Sequence, residues 1–396
     1  MKNYFKKILN LFILTLCFIY EINAQINDTI HKITLNGYIS NLQNATFSNF
    51  NQDWLTSNLL HNRLNFKWYA TDCLSAALEV RTRFVYGEAV KADSTIVKEY
   101  DSDPGLVNMY FVPFHGKSYL LSVDIDRFWL AYEKNKVRVT LGRQRINWGQ
   151  TFVWNPNDLF NSYSFFDFDY VEKPGSDALR IQYFNSAVSS TELAAKMNNN
   201  RKVTCAGLLR FNAFEYDFQF LGGILNDTDI VAGTGWSGAI KSMSFRGEVT
   251  YLRAKQDFLK SKGDLVASVM ADYTFNNSFK LMSEILYNQN ATDKFENFEQ
   301  VYSTPLTVSN LSPLKLNIFV QASYPITPLL TTTLSGIYFP GINGYFINPS
   351  IDYSLSQNID FSFLMQSFNG RLTNSNTGNK IWYAYNLAFL RLKLSF

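Results

Sequence analysis

Apolar and polar residues alternate with a period of two in many separate strings of this sequence. Between Leu60 and Trp68, for example, every second residue is polar or charged: His61, Arg63, Asn65 and Lys67. Such a period places successive side chains on opposite faces of a β-strand. Many strings reach about ten residues, the length at which a tilted strand crosses a bilayer. Because no run of about 18 apolar residues follows the N-terminal segment, an ordinary transmembrane helix is excluded.

The placement of aromatic residues separates a membrane barrel from a water-soluble β-sandwich, which has the same period. Aromatic residues make up 16% of the chain. Several lie near the ends of strings, where the interfacial girdles of outer-membrane barrels belong: Trp68, Tyr69, Phe84, Tyr86, Trp382 and Tyr383. The pattern therefore predicts an all-β fold, a transmembrane antiparallel up-and-down β-barrel.

The strings predict about 18 strands, with roughly 16 to 18 as the range, and single-chain bacterial barrels have an even number. The predicted strands begin near Ile30, Ser57, Cys73, Tyr119, Lys136, Ala178, Ser190, Lys202, Glu215, Ile230, Ser244, Asp264, Ser278, Leu314, Leu329, Tyr345, Ile359 and Lys380. The strands between Lys202 and Lys255 are the least clear, because glycines there blur the alternation.

Long and short connections alternate along the chain, as external loops and periplasmic turns do in such barrels. The long external loops are expected at residues 88–118, 149–177 and 290–313. The barrel is expected to occupy residues 25–396, which leaves no separate plug domain. A barrel of this size encloses an aqueous lumen unless loops fold inward, and the first two of these loops are long enough to do so.

The N-terminal segment reads as a signal peptide, residues 1–24, because lysines precede an apolar run and Ala24 precedes Gln25. Without it, acidic and basic side chains nearly balance, so nucleic acid is not an expected partner. Cys73 and Cys205 then remain, on strands that are not predicted neighbours. A disulfide framework is therefore not expected.

Charged residues collect on the polar face of the early strands, where they would line the lumen: Arg63, Lys67, Glu79, Arg81, Arg83, Arg127, Arg138, Arg143, Arg145 and Arg180. Arg143 and Arg145 share parity with apolar neighbours and would face lipid, at a cost of about 2 to 4 kcal/mol each at mid-depth. A bulge near Gly142 is predicted to turn them inward. The arginines then either select anionic solutes or pair with carboxylates and hold a loop against the wall.

The segment after Gly142 carries aromatic and polar residues that suit a constriction loop: Trp148, Trp154, Asn155, Asp158, Asp167, Asp169 and Glu172. Rings beside amides and carboxylates can bind sugar, by stacking and by hydrogen bonds to hydroxyls. The same composition can also form the small core of the loop itself. Both interpretations stay open at this point.

The motif residues in this segment resemble a known group. Gly142-Arg143-Gln144, Trp148-Gly149, Asn155-Pro156-Asn157-Asp158 and Pro174-Gly175 are similar to the pattern of porin-like outer-membrane families related to alginate-export barrels. In that group an arginine-lined lumen passes anionic or polar solutes. The resemblance implies the barrel architecture and a selectivity role for Arg143 and Arg145, and it defines no substrate.

The last strand carries a second signal. Leu390, Leu392 and Leu394 share one face with the terminal Phe396, which resembles the signature read by the bacterial barrel-assembly machinery. Leu392, Leu394 and Phe396 are therefore predicted to mark the chain for assembly.

Together these patterns predict an outer-membrane porin of a Gram-negative bacterium that passes small or oligomeric hydrophilic solutes, anionic ones among them. The expected partners are outer-membrane lipid, the assembly machinery and a small hydrophilic or anionic solute or oligosaccharide; the oligomeric state stays open. The alternative is a non-conducting barrel that binds or assembles surface polysaccharide. An enzyme is not expected, because His31, His61 and His115 lie far apart and no paired His or Cys spacing provides a metal site. No cofactor is implied.

Overall fold

The structure, a computed structural model, describes residues 32–49, 51, 54–161, 172–256, 258–291, 307–373 and 380–396. The strands of these segments are β1 (Ile33–Phe47), β2 (Leu55–Thr71), β3 (Leu74–Gly87), β4 (Tyr110–His115), β5 (Tyr119–Lys134), β6 (Val137–Gln144), β7 (Ser176–Ser186), β8 (Ser189–Met197), β9 (Val203–Ala213), β10 (Tyr216–Leu225), β11 (Asp229–Ile240), β12 (Met243–Ala254), β13 (Asp264–Thr274), β14 (Lys280–Asn288), β15 (Leu316–Thr327), β16 (Leu330–Phe339), β17 (Gly344–Ser356), β18 (Ile359–Thr373) and β19 (Lys380–Ser395).

Helices are few and short. They are α1 (Glu88–Ala92), α2 (Ile96–Tyr100) and a 3-10 helix (Pro340–Ile342). Among the described residues no helix is long and apolar enough to cross a membrane.

Eighteen of the strands form the wall of a closed antiparallel barrel. Each wall strand pairs with the next along the chain, and β19 pairs with β1 to close the sheet. Gly37 and Phe396 exchange two backbone hydrogen bonds, at 2.9 and 3.0 Å, at this seam. Closure gives every wall strand a hydrogen-bonded partner on both sides, as a lipid environment requires. The predicted fold class and strand number are confirmed, and the strands between Lys202 and Lys255 are all present.

The outer face of the barrel is apolar and the inner face carries the polar side chains. Leu130, Leu141 and Leu193 are about half exposed on the outside. Trp68 and Trp382 are also exposed, at opposite ends of their strands, as expected for residues of the two aromatic girdles. Leu392 and Leu394 lie on this outer face as well.

Tight turns and long connections alternate as predicted. The predicted loop at 88–118 contains α1, α2 and the short strand β4, none of which was expected. β4 pairs only with the first half of β5, whereas the second half of β5 pairs with β6. The short strand β6 ends at Gln144, and β4 occupies the place beside β5 that β6 leaves vacant.

Candidate functional site

An arginine ladder of three cross-strand neighbours lies on the inner face of β2 and β3. It consists of Arg63, Arg81 and Arg83, and Arg63 is directly opposite Arg81 in the sheet. Arg63 and Arg81 are almost fully buried, at 0% and 3% exposure. A buried guanidinium is stable only when it is paired and hydrogen-bonded.

Carboxylates from β3 and β5 supply those pairs. Arg63 donates to Asp126 at 2.5 Å and to Glu79 at 2.6 Å. Asp124 accepts from Arg83 at 2.5 Å and lies 3.1 Å from Arg81. The ladder is therefore charge-compensated. Its arginines pair with carboxylates, as the second interpretation of the sequence expected, and these carboxylates belong to the wall strands.

The ladder depends on a bulge in β5. Glu79 pairs with Arg127 and Val80 with Ile125, so Asp126 is the extra residue between them. A bulge places two consecutive side chains on the same face, and Asp126 and Arg127 are indeed both buried.

Arg143 forms a second network, which we call the Arg143 clamp, with Asp103 and Asp177. Arg143 donates to Asp177 at 2.7 Å and to Asp103 at 2.8 Å. It also donates to the carbonyl oxygens of Val107 and Ile125, at 2.8 and 3.3 Å. One side chain, 3% exposed, thus ties the segment before β4 to β5 and β7.

The bulge predicted near Gly142 is wrong. β6 pairs in an unbroken register with β5 and β7. Gly142 instead adopts φ +114°, a conformation open to glycine, and a Cβ there would collide with the carbonyl oxygen of Phe128. The alternation changes phase at this residue, so Arg143 turns into the barrel without an inserted residue.

The connection between β6 and β7 is described at residues 145–161 and 172–175. These described residues fold into the lumen, and we call them the inward loop. Trp148, Trp154, Leu159 and Phe160 are at most 5% exposed. They join a continuous apolar cluster with lumen-facing residues of the far wall, among them Phe319 and Phe346. The aromatic residues of the loop therefore pack as a core inside the barrel, and Trp148 and Phe160 meet edge to face at 4.9 Å.

Two buried glutamates of the wall hold the backbone of this loop. Glu284 of β14 accepts from three consecutive N–H groups, those of Phe152, Val153 and Trp154, at 3.1, 2.8 and 2.9 Å. Ser268 of β13 donates to the same carboxylate at 2.7 Å.

Glu248 of β12 binds the loop backbone in the same way, on either side of the residues that Glu284 holds. It accepts from the N–H groups of Gln150, Thr151 and Asn157, the last two at 2.7 and 2.8 Å. Hydrogen bonds of this charged kind are about twice as strong as neutral ones. The strands that carry the two glutamates lie across the lumen from β6. The described part of the loop therefore spans the lumen from one side of the wall to the other.

The far end of the inward loop is fixed to the ladder side. Arg127 donates to the carbonyl oxygens of Glu172 and Lys173, at 2.9 and 2.6 Å. The Glu172 carboxylate accepts from Tyr38 at 3.3 Å and lies 3.9 Å from Arg63. Both ends of the loop are thus docked on opposite walls. Asp167 and Asp169, also predicted for this loop, lie outside the described residues.

The other predicted lumen residues lie apart from the ladder and from the Arg143 clamp. Arg180 pairs with Glu192 at 2.6 Å, and Glu192 also accepts from the indole N–H of Trp148 in the inward loop at 3.2 Å. Arg138 pairs with Glu133 at 3.5 Å near the tight turns, and Lys67 is exposed near the end of β2. Arg145 is half-buried in the inward loop. The structure therefore brings together Arg63, Glu79, Arg81, Arg83 and Arg127. It places Arg143 next to Arg127, since the two donate to the consecutive carbonyl oxygens of Ile125 and Asp126, and it separates the rest: Lys67, Arg138, Arg145 and Arg180.

Asp158 lies in the inward loop, outside the membrane-spanning strands, and is 1% exposed. Its Oδ1 has no hydrogen-bond partner among the described residues. Burial raises the pKa of Asp158 from 3.8 to about 7, and the nearby Glu248 adds to the rise, whereas Lys173, Arg145 and Lys196 oppose it. Asn155, by contrast, is half-buried and accepts from the Asp158 backbone N–H at 3.1 Å.

The residues that anchor the loop were missed from the sequence. Glu192, Glu248 and Glu284 each stand in the middle of a strand, and the last two are the only acidic residues on the inner faces of β12 and β14 within the described chain. Burying a single carboxylate in the centre of a barrel strand costs free energy unless the carboxylate is hydrogen-bonded or paired. Such isolated mid-strand glutamates could therefore have been predicted from the sequence as anchoring residues. Asp124 of β5 has the same signal, whereas Asp103 has none, because it lies in the segment before β4.

No protein-family model and no curated protein matches this chain. Solved structures do match. OccAB3 of Acinetobacter baumannii is 8% identical with a TM-score of 0.57, covering 93% of this chain and 100% of that chain. OccAB2 of the same organism is 10% identical with a TM-score of 0.56, covering 92% and 98%.

OpdQ of Pseudomonas aeruginosa is 8% identical with a TM-score of 0.55, covering 92% of this chain and 97% of that chain. These neighbours are outer-membrane porin barrels. At such low identity the similarity concerns the fold alone, a closed antiparallel β-barrel of 18 strands.

Proposed function

We propose that this protein is a channel of the Gram-negative outer membrane that passes small hydrophilic solutes, anionic ones among them, past a constriction formed by the inward loop. The observation that carries the proposal is the loop docking itself. A loop held across the lumen by Glu248 and Glu284 on one wall and by Arg127 on the other narrows the passage without adding a separate domain. The barrel fold shared with outer-membrane porins supports the location.

Selectivity would arise where the passage is narrowest, because charged groups in a narrow, low-dielectric passage act strongly on a solute. The ladder arginines are already paired with Glu79, Asp124 and Asp126, so their main role is to hold the wall and the loop. Of the three ladder arginines, Arg83 is the most accessible, with 16% of its side chain exposed. Because Arg83 is also paired with Asp124, it would favour an anion over a cation only modestly.

A second candidate is a non-conducting barrel that binds surface polysaccharide. It is favoured by the apolar cluster between the loop and the far wall, since a lumen packed with side chains such as Trp154 and Phe319 excludes water on that side. The two candidates differ in whether a continuous water-filled path through the lumen remains on the side of the arginine ladder.

Solute flux into proteoliposomes distinguishes them. Purified protein would be reconstituted and swelling followed for a neutral monosaccharide, a hydroxy acid and a sugar phosphate. The channel proposal predicts swelling faster than that of protein-free vesicles, with the small anions at least as fast as the neutral sugar. Rates equal to those of protein-free vesicles for all three solutes would contradict it and favour the polysaccharide-binding candidate.

A further inference from the structure

A cavity of about 610 Å³ lies beneath the first residues of the inward loop. It opens toward the tight turns of β7–β8, β9–β10 and β11–β12, the periplasmic end if the long loops are external. Its lining includes Asn147 and Gln150 from the loop and Arg210 and Arg246 from the wall. A volume of this size lies in the range of small-molecule sites, which is about 300 to 1,000 Å³.

Arg246 has fewer hydrogen-bond and ion-pair partners than Arg210, the other basic residue of the lining. It lies on the inner face of β12, opposite Ser237 of β11. Its Nε is buried and has no hydrogen-bond partner among the described residues, which also hold no carboxylate within ion-pair distance of it. A half-buried guanidinium without such a partner is costly.

Arg210 is only loosely satisfied. It lies 3.9 Å from Glu192, a carboxylate that Arg180 already holds at 2.6 Å. Its remaining hydrogen bonds are long, at 3.3 Å to the carbonyl oxygen of Asn147 and 3.4 Å to Gln219. Its donors could therefore turn to a ligand at little cost.

The remaining lining is mostly neutral and polar. Ser189, Ser190 and Ser237 contribute hydroxyls. Asp217 is the acidic residue of the lining and accepts from Asn212 at 2.8 Å. With two guanidinium groups against one carboxylate, the lining carries a net positive charge.

We infer that this cavity binds a small organic oxyanion, a carboxylate or a phosphate ester that also carries hydroxyl groups. Arg246 would hold the oxyanion by paired N–H donors, as guanidinium groups do, Arg210 would approach it from the other end, and the loop amides and serines would bond the hydroxyls. The inference rests on the proposed channel, for which the cavity is the compartment next to the constriction.

Calorimetric titration of the detergent-solubilised protein tests this site without requiring conduction. The probes are a hydroxy acid, a sugar phosphate and the matching neutral sugar. At least one anion is expected to bind at least about tenfold more tightly than the neutral sugar, a ratio of roughly 1.4 kcal/mol. Arg246→Gln should remove that advantage, and Arg210→Gln should reduce it.

The matched control is Arg253→Gln, on the same strand, since Arg253 stacks over Phe258 at 4.6 Å and does not line the cavity. It should leave binding unchanged. The inference is overturned if neither anion binds better than the neutral sugar, or if Arg246→Gln and Arg253→Gln behave alike. Anion binding without flux into vesicles would contradict the proposed channel but not the proposed binding site. Flux into vesicles without anion binding would contradict the binding site but not the channel.

Discussion

At the scale of single residues, the conformation of one glycine decides which way Arg143 points. The sequence indicated correctly that Arg143 could not face lipid, because the cost of an exposed guanidinium in hydrocarbon is general. It did not indicate Asp103 as a partner, because Asp103 comes from a segment whose position depends on β4. The inward orientation of Arg143 was thus predictable, and its pairing with Asp103 was not.

The Arg143 clamp should contribute strongly to stability. Arg143→Gln would leave Asp103 and Asp177 buried without their cation, so we expect a loss of about 3 to 5 kcal/mol in the free energy of unfolding. Urea unfolding in detergent micelles, followed by tryptophan fluorescence, measures it. Arg138→Gln is the control, because Arg138 and Glu133 form a partly exposed pair that should contribute at most about 1 kcal/mol. Equal losses for the two variants would contradict the clamp.

Asp158 should make loop docking depend on pH. Its pKa is raised from 3.8 to about 7, so the docked loop keeps a proton that the undocked loop releases. The docked state is then favoured most at low pH, loses free energy as the pH rises from about 4 to about 7, and changes little above that. Asp158→Asn, which stays neutral, should remove this slope.

Limited proteolysis of the inward loop between pH 5 and pH 8 measures that slope. Cleavage of the wild-type protein should increase from pH 5 to about pH 7 and then level off, after correction for the protease's own pH profile, and cleavage of Asp158→Asn should not. The nearby Lys173, Arg145, Lys196 and Glu248 are present in both proteins, so the difference between the two profiles belongs to Asp158. Identical profiles would rule the effect out.

At the scale of elements, the inward loop is organised by carboxylates of the wall. Glu248 and Glu284 each receive several backbone N–H donors from the loop, which resembles the way an anion is bound by a backbone nest. The aromatic and polar composition of residues 149–177 predicted a loop that folds inward. The attachment points could not be read from the loop, because they lie about 90 to 130 residues further along the chain.

At the scale of the whole molecule, strand number and closure were predictable and the filling of the lumen was not. Alternation with a period of two and tight turns at every second junction predict a closed barrel with an even number of strands, almost without reference to tertiary structure. On β15 to β18, however, both faces are apolar, as at Phe319 and Val320 or Phe346 and Ile347. Sequence alone does not tell which of two apolar faces meets lipid and which meets a docked loop.

The inward loop, docked on Glu248 and Glu284, is proposed here as the constriction of a conducting barrel. Single-channel conductance in planar bilayers tests this proposal, when the wild-type protein is compared with Glu248→Gln/Glu284→Gln. Glu133→Gln is the control, because Glu133 is an exposed glutamate near the tight turns. Resistance to heat in gel electrophoresis would verify that each barrel is closed. We expect a small, steady conductance for the wild type and the control, and a several-fold larger or strongly fluctuating conductance for the double variant. Equal conductance in all three, or silence in all three, would contradict it.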